Sequence, residues 1–520
     1  MNKPLSKKEL NFVIIFSLIT VLITLMPVFY GYYNTPEGYK FMGLVASVGD
    51  ANAYLDYMSQ TTNRHFFFRN SYTSEDTRHL LIRPLFWVMG FFSIFLPSIF
   101  VWHLFRVMLG VVFLILAYHF ISNFIKDVFS RRIAFLFIAV GSGFGYFATI
   151  INKLLGTNYG STDLWVTESI PFLSLNGAPH FIFSYILIIG IMYYFYSGIT
   201  KNKTKFIVYS ALLAFILGFE HIYDMITVYL VVGTFILVLF FKEGKINYNY
   251  IKKSMLFCLI SVPSFLYYAS IFLFDPLYNE WTKQNVLLSP NLSNYVLGFG
   301  LVLLLALFYV FVIVMEKKYK NDTGLMFLSA WLVVNFLILY LPVSIQRRFV
   351  EGIFLPMAIL AALGFLRIIT ILKFKNKLRI FAAILIVVLV LPSNAYRLSQ
   401  LLELKYNPAN IYSMPYFLEN EEYEALLWLK RNTNPDDVIL SEQTLSNYVP
   451  RVSGNIVYFG HWAQTINYKD KLEWFSKIDT STIDNKELSK LGINFIMIRK
   501  TNINLKEVFH FENIRIYKIE

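Results

Sequence analysis

Long apolar blocks constrain this chain more than any other feature of its sequence. Stretches of about 18–25 predominantly apolar residues recur from Asn11 to Tyr396, and as a helix each would cross the roughly 30 Å hydrocarbon layer of a membrane. The chain is 56% hydrophobic and 15% charged, whereas soluble domains are about a quarter charged. We therefore predict a polytopic α-helical membrane protein.

The basic residues between these blocks predict its orientation. Lys3, Lys7 and Lys8 precede the first block, 11–30, and Lys/Arg clusters mark cytoplasmic loops. We interpret the net charge of +13 as membrane topology, so we expect no nucleic-acid partner. A small-residue cleavage site does not follow the first block, which favours an uncleaved span over a signal peptide. The N-terminus is predicted to be cytoplasmic.

Alternation of the basic clusters predicts about eleven spans. The expected spans are 11–30, 98–122, 133–151, 179–198, 206–221, 224–241, 252–273, 292–315, 324–341, 353–371 and 378–396. The apolar segment 84–96 is short and lies between Pro84 and Pro97, which predicts an interfacial helix on the outer surface. If this segment crossed the membrane instead, every later loop would change sides and contradict the lysine clusters.

The composition changes to that of a soluble domain after Tyr396. Residues 421–430 have a helical pattern, and β-rich runs occupy 437–440, 455–459, 493–498 and 514–517. This mixture predicts a small α/β domain, which an odd number of spans places outside the membrane. We therefore predict a transmembrane domain at 1–396, with an outer loop at 31–83, and an extracytoplasmic domain at 397–520. The single cysteine, Cys258, excludes an intramolecular disulfide framework.

The outer loop 31–83 is longer than a simple connection requires. It contains several acidic, basic and histidine residues, and the run from Asp50 to Leu55 predicts the start of a helix. Asp50 and Tyr54 would share a face of that helix at an i, i+4 spacing. Asp56 lies close by and is an alternative to Asp50. An exposed aspartate can also be a capping or solubilising residue, so spacing alone leaves its role open.

Several segments resemble those of one enzyme superfamily. They are Asp50-x-x-x-Tyr54-Leu55, Phe68-Arg69-Asn70-x-Tyr72-Thr73-x-Glu75, Pro84-Leu85-x-x-x-x-Gly90, Trp165-x-x-Glu168, Pro179-His180-Phe181, His221-x-Tyr223-Asp224 and Gln346-Arg347-Arg348-Phe349. Their order resembles that of GT-C integral-membrane glycosyltransferases that use polyprenyl-phosphate sugars. The tail, with Trp428 and Gly460-His461, resembles the periplasmic domain of bacterial members.

The resemblance implies an inverting glycosyltransferase of the cell membrane, acting in cell-envelope glycan biosynthesis. The implied donor is a polyprenyl-phosphate hexose or pentose, and the acceptor is a hydroxyl of a glycan, lipid or protein. Such a reaction needs a base for the hydroxyl proton and cations for the phosphate. A lipid-linked glycan flippase and a polysaccharide polymerase or ligase are alternatives; the former would have ionisable residues at mid-span, and the latter a large late outer loop.

The resemblance implies roles for particular residues. Catalysis is assigned to Asp50 and Glu168, donor phosphate binding to Arg347, Arg348 and His180, and substrate binding to Tyr54, Glu75, His221 and Asp224. Asp163 is an alternative to Glu168, and two boundary arginines can also contact lipid headgroups. Mg²⁺ or Mn²⁺ would suit the carboxylates, but the outer loops lack an Asp-x-Asp pair, so metal dependence stays open.

Overall fold

A computed structural model describes residues 5–478, 485–499 and 503–520. Most of the described chain is helical. The α-helices, in chain order, are α1 (Lys7–Ile23), α2 (Met26–Tyr33), α3 (Val48–Thr62), α4 (Pro84–Ser93), α5 (Ser98–Ser122), α6 (Val128–Val140), α7 (Gly145–Leu155), α8 (Pro171–Asn176), α9 (Pro179–Thr200), α10 (Thr204–Glu220), α11 (Ile222–Glu243), α12 (Tyr248–Phe274), α13 (Pro276–Gln284), α14 (Leu292–Met315), α15 (Thr323–Ile338), α16 (Phe354–Ile371), α17 (Asn376–Leu389), α18 (Pro392–Leu402), α19 (Asn420–Asn432), α20 (Gln443–Ser446), α21 (Val449–Val452), α22 (Tyr468–Lys477) and α23 (Asn485–Lys490).

Short elements complete the described secondary structure. Three 3₁₀ helices are Thr162–Leu164, Lys318–Lys320 and Gln346–Val350. The strands are β1 (Tyr39–Phe41), β2 (Phe417–Glu419), β3 (Val438–Ser441), β4 (Ile456–Val457), β5 (Phe495–Arg499), β6 (Lys506–Phe511) and β7 (Ile514–Lys518).

The prediction of a polytopic helical membrane protein is confirmed. In the described residues, eight helical segments are long and apolar enough to cross a membrane, or nine if α6 and α7, bent by 53°, form one broken span. The two remaining predicted spans correspond to α10 and α15, which have 17 and 16 residues. At 1.5 Å per residue they extend only about 24–26 Å, slightly less than the hydrocarbon layer. The short α4 lies within the predicted interfacial segment.

One compact unit contains residues 1–25, 105–269 and 287–400, and we call it the helical unit. Its apolar core is continuous and includes the buried Trp331, Phe299 and Met357. Helices α14 and α16 approach closely at Gly364, where a Cβ atom would lie 2.3 Å from the Leu305 carbonyl oxygen. A side chain there would force the two helices apart, so this contact requires glycine.

A second compact unit contains residues 26–104, 270–286 and 401–520, and we call it the loop-and-sheet unit. Its five-stranded sheet has the order β4-β3-β5-β7-β6, in which β3 runs parallel to β4 and β5, and β7 runs antiparallel to β5 and β6. A separate antiparallel pair joins β1 to β2. The small α/β region predicted near the C-terminus is therefore present. Strand β6 was not predicted, because its charged and histidine residues suit a solvated edge rather than a buried strand.

The division into two units assigns the outer loop to one of them. The predicted boundary after residue 396 lies close to the transition between the units at 400 and 401. The outer loop 31–83 and helix α4, however, group with the C-terminal sheet rather than with the apolar helices. Pairing of β1 with β2 is one reason, because it connects residues almost 400 positions apart through backbone hydrogen bonds. The domain boundary itself stays a prediction.

Candidate functional site

Asp50 lies in the first turn of α3, within the loop-and-sheet unit. The preceding Ser47 has a positive φ of 45°, and the chain enters the helix directly afterwards. A carboxylate at this position is stabilised by the positive end of the helix dipole. The Asp50 side chain is 48% exposed, so it is accessible to a reactant. This half-exposed carboxylate meets the first requirement for a base.

The C-terminal region supplies a partner for Asp50. The Nε2 atom of His461 lies 3.1 Å from Asp50 Oδ1. On the other side of the ring, His461 Nδ1 accepts the backbone N–H groups of Ala463 and Gln464 at 3.1 and 3.3 Å. An imidazole nitrogen that accepts hydrogen bonds carries no proton. The neutral ring therefore has its proton on Nε2 and donates it to Asp50, which orients the carboxylate.

His461 is buried, and its ring is held by its neighbours. Its side chain is 2% exposed, and its ring lies edge-on to that of Tyr72, with centroids 5.8 Å apart. Gly460-His461 contributes to the sequence resemblance, but the sequence alone predicts no role for His461. A lone histidine carries little signal in a sequence, and its partner is 411 positions away.

The other residues assigned in this unit have defined contacts. The ring of Tyr54 stacks on Phe86, with centroids 4.8 Å apart, and the Arg83 guanidinium lies 4.9 Å from its centroid. Glu75 accepts a hydrogen bond from Lys471 Nζ at 2.8 Å. Their roles in substrate binding stay predictions.

Asp56, the alternative to Asp50, points elsewhere. It lies six residues further along α3, which is about 240° around the helix axis, and it is 1% exposed. Its Oδ2 atom accepts a hydrogen bond from Gln60 at 2.8 Å. Burial raises the pKa of Asp56 to about 6, against a smaller opposing effect of the Ser71 and Gln60 side chains. The structure thus separates the two carboxylates.

In the helical unit, two of the assigned residues form an ion pair. Arg348 donates a hydrogen bond to Glu168 Oε1, and the Glu168 side chain is 3% exposed. Arg348 also lies over the ring of Tyr223, with its guanidinium carbon 5.5 Å from the centroid. The catalytic candidate Glu168 and the phosphate-binding candidate Arg348 are therefore partners, and each fixes the position of the other.

Arg347 is positioned by an aromatic ring. Its guanidinium carbon lies 5.0 Å from the centroid of the Trp165 ring, and its backbone N–H bonds to the Leu287 carbonyl at 3.1 Å. Both arginines belong to the 3₁₀ helix Gln346–Val350. A guanidinium stacked on an aromatic face can form hydrogen bonds along its edge. This geometry is compatible with binding a phosphate.

A buried cluster joins His221, Asp224 and Glu351. His221 Nδ1 lies 3.2 Å from both Asp224 Oδ2 and Glu351 Oε2. All three side chains are at most 1% exposed, and the buried His180 ring is 5.0 Å from that of His221. The cluster forms because His221 lies between α10 and α11, which places Asp224 one turn further on.

The cluster has the composition of a divalent cation site. One ligand atom from each of the three residues lies within 4.8 Å of the others. Ligand atoms about 2.1 Å from a metal ion are about 3–3.5 Å apart. His221 Nδ1 lies at 3.2 Å from each of the two carboxylates, and the carboxylate oxygens lie within 4.8 Å of each other. Asp224 Oδ1 is buried and has no hydrogen-bond partner among the described residues. An imidazole ligand favours a transition ion such as Zn²⁺ or Mn²⁺ over Mg²⁺.

Glu351 was missed by the sequence reading. It follows the two arginines closely and precedes the span predicted at 353–371. Ionisable residues at membrane depth usually have partners and often a function, and this rule provides the signal that could have identified it.

Asp163, the alternative to Glu168, has a structural setting. Its Oδ2 atom accepts the backbone N–H groups of Gly143 and Gly145 at 2.9 and 3.2 Å, and Ser161 donates to its Oδ1. Burial raises the pKa of Asp163 above its usual value, although these hydrogen bonds oppose the effect. Asp163 therefore holds the break between α6 and α7.

Comparison with known proteins gives fold relatives. No family model and no curated protein sequence matches the chain. The oligosaccharyltransferase of Archaeoglobus fulgidus in its apo form is similar over 95% of this chain and 70% of its own, with 12% identity and a TM-score of 0.58. The same organism's AglB, in complex with an inhibitory peptide and a dolichol-phosphate, is similar over 95% of this chain and 70% of its own, with 13% identity and a TM-score of 0.51.

A second kind of relative is similar over almost the whole of both chains. ArnT from Cupriavidus metallidurans, bound to undecaprenyl phosphate, is similar over 98% of this chain and 98% of its own, with 9% identity and a TM-score of 0.53. AglB and ArnT are both GT-C membrane glycosyltransferases that use polyprenyl-phosphate-linked donors. The fold predicted from the sequence resemblance is thus confirmed: the chain shares its fold with these solved glycosyltransferases.

Proposed function

We propose that this protein is an inverting membrane glycosyltransferase that transfers a sugar from a polyprenyl-phosphate donor to an acceptor hydroxyl. The observation that carries the proposal is the Asp50–His461 pair, in which a buried imidazole orients a half-exposed carboxylate. It supports the proposal because a GT-C fold provides the class of reaction and the pair provides a base. Glu168, paired with Arg348, is a positioning residue in this scheme.

The proposed step is a single displacement. The oxygen of the acceptor hydroxyl forms a bond to the anomeric carbon of the donor sugar, while Asp50 accepts the proton of that hydroxyl. The bond from that carbon to the phosphate oxygen breaks, and polyprenyl phosphate leaves with the electron pair. Attack from the opposite side inverts the configuration at the anomeric carbon.

The arginine pair would bind the donor phosphate. Arg347, stacked on Trp165, and Arg348, held by Glu168, can donate several N–H groups to phosphate oxygens. These donors would also stabilise the charge that develops on the leaving phosphate. His180 is a further proposed phosphate contact.

A divalent cation is part of the proposal. His221, Asp224 and Glu351 would hold it, and their buried carboxylates would then be neutralised inside the helical unit. A bound cation supplies positive charge near an anionic substrate. The alternative for His221 and Asp224 is direct substrate contact.

We further propose the plasma membrane as the site of action, with a cytoplasmic N-terminus and an extracytoplasmic C-terminal region. The lysine clusters carry this orientation, because positive loops are retained in the cytoplasm. The sugar, the acceptor and the polyprenyl chain are to be identified by assay.

A transfer assay tests the proposal. Purified protein in lipid is given radiolabelled polyprenyl-phosphate sugars and an extract of envelope acceptors. Asp50→Asn is expected to retain donor binding but to lose about 10²- to 10⁴-fold in turnover, the usual contribution of a general base. Asp470→Asn is the matched control, because Asp470 is an exposed aspartate in the first turn of α22.

The outcomes discriminate between functions. Normal turnover by Asp50→Asn would remove Asp50 as the base and move the test to Glu168. Donor that binds and crosses the bilayer without sugar transfer would favour a flippase. Arg347→Ala is expected to weaken donor binding, and unchanged binding would remove it from the phosphate site.

A further inference from the structure

A polar cleft lies within the loop-and-sheet unit, away from Asp50. Its volume is about 600 Å³, within the roughly 300–1,000 Å³ range of small-molecule sites. It is formed by the second half of α3, by outer-loop residues 63–79 and by residues 435–456 of the C-terminal region. Asp50 is not among its lining residues, whereas Asp56 is. The cleft is therefore a feature separate from the Asp50–His461 pair.

The lining of this cleft is rich in side chains that form hydrogen bonds. Thirteen of the eighteen lining residues have side chains that donate or accept hydrogen bonds. An acyl or polyprenyl chain could not bond those of these groups that face the cleft, and desolvating them would cost free energy. A ligand with many hydroxyl groups, which both donate and accept, would satisfy them.

The charges in the lining disfavour an anion. Four carboxylates line the cleft, against one arginine and two histidines. Two of these carboxylates already have cationic partners, which leaves Asp56 and Asp76. The arginine, Arg69, is already engaged, because it pairs with Asp436 and donates to the carbonyls of Pro435 and Gly454 at 2.8 and 3.2 Å. A phosphate or uronate would therefore meet net negative charge. The preferred ligand is uncharged.

Two features resemble those of a saccharide site. Phe67 lines the cleft with a side chain that is 54% exposed, and an exposed aromatic face in a polar cleft can pack against the apolar face of a sugar ring. Asp76 also lines the cleft, and its carboxylate is exposed. An exposed carboxylate can accept hydrogen bonds from the hydroxyl groups of a sugar.

We propose that this cleft binds an uncharged saccharide portion of the acceptor, with Phe67 packing against a sugar ring and Asp76 accepting hydrogen bonds from its hydroxyls. The proposal rests on the proposed function, because it names the acceptor class. Since Asp50 is not in the lining, the cleft holds a part of the acceptor remote from the reacting hydroxyl. Loss of remote contacts that are equal in the ground and transition states raises KM without lowering kcat.

The test measures saccharide binding in the absence of donor. Full-length protein in lipid nanodiscs is titrated with neutral oligosaccharides of glucose, galactose, mannose and N-acetylglucosamine, and with oligouronates of equal length. At least one neutral series is expected to bind more tightly than the oligouronates. Phe67→Ala is expected to weaken that binding about tenfold, the loss expected for an aromatic contact.

Phe66→Ala is the matched control. Phe66 is equally exposed at 54% but does not line the cleft, and it packs on Trp87, with ring centroids 5.5 Å apart. Equal loss of binding in both variants, tighter binding of the oligouronates, or no binding of any neutral series would overturn the proposal. If saccharides bind and no sugar transfer is found, the saccharide-binding proposal stands and the glycosyltransferase proposal falls. If sugar transfer is found and no saccharide binds, the glycosyltransferase proposal stands and the saccharide-binding proposal falls.

Discussion

The helical unit and the loop-and-sheet unit place their candidate catalytic and metal-binding carboxylates in different environments. In the helical unit, Glu168, Asp224 and Glu351 are at most 3% exposed, and each has a partner of defined geometry. In the loop-and-sheet unit, the candidate base Asp50 is half-exposed and bonded to a buried histidine. The difference matters because removing a buried ionic partner leaves a charge without compensation, whereas removing an exposed one does not. A loss of activity is therefore easier to interpret when Asp50 is substituted than when one of the buried carboxylates is.

Breaking the ion pair in the helical unit is expected to have the largest effect on stability. Arg348→Ala should lower the free energy of unfolding by about 3–5 kcal/mol, because Glu168 is left as a buried unpaired charge. Chemical unfolding of the purified protein in detergent measures this. The exposed pair Arg367–Glu316, with both side chains 37% exposed, is the control, and Arg367→Ala should cost less than about 1 kcal/mol. Equal losses in the two variants would contradict the comparison.

The next effect concerns pH and Asp56. The pKa of Asp56 is raised from 3.8 in the unfolded chain to about 6 in the folded protein, so the folded state binds the proton more tightly. The contribution of Asp56 to the free energy of unfolding is fully present below about pH 4 and is lost as the pH rises through 6. Two pKa units correspond to about 3 kcal/mol.

Asp56→Asn removes this titration and should flatten the stability profile between pH 4 and 7 relative to wild type. Unfolding at a series of pH values measures the difference. The Asp470→Asn variant, in which an exposed aspartate is changed, should keep the wild-type slope. A slope in Asp56→Asn equal to that of wild type would show that Asp56 is not the group responsible.

A smaller effect is expected at His461. His461→Ala removes the N–H that orients Asp50, and loss of a hydrogen bond of about 1–1.5 kcal/mol corresponds to roughly tenfold in kcat. His461→Gln retains an N–H donor and should recover part of the rate. Steady-state transfer kinetics measure both variants. A purely structural role for His461 would show as reduced thermal stability and no recovery by glutamine.

The smallest effect on stability is expected at Asp50 itself. Asp50→Asn keeps an oxygen that can accept the proton of His461 Nε2, and the side chain is half-exposed. Its free energy of unfolding should stay within about 0.5 kcal/mol of wild type. A decrease in the free energy of unfolding comparable to that of Arg348→Ala would show that Asp50 is a structural residue. It would also contradict the contrast drawn between the carboxylates of the two units.

The sequence did not predict pairings between residues that are far apart in the chain. Glu168 and Arg348 were assigned separately, yet they form one ion pair across 180 positions. Asp50 was selected with its helix correctly placed, but His461 was not selected, because no local pattern links a histidine to an aspartate 411 residues earlier. Glu351 was missed although it shares the cluster of His221 and Asp224. Each of these pairings depends on packing rather than on spacing.

The sequence by itself determined the membrane class, the position of most helices and the small α/β region near the C-terminus, because hydrophobic length and helical or strand periodicity are local properties. Only the tertiary structure decided that the outer loop groups with the C-terminal region and that His461 orients Asp50. Only the tertiary structure, too, placed Asp56 in a polar cleft rather than beside Asp50. Local patterns fix which face of a helix is polar, whereas the partner of that face is chosen by packing between segments far apart in the chain.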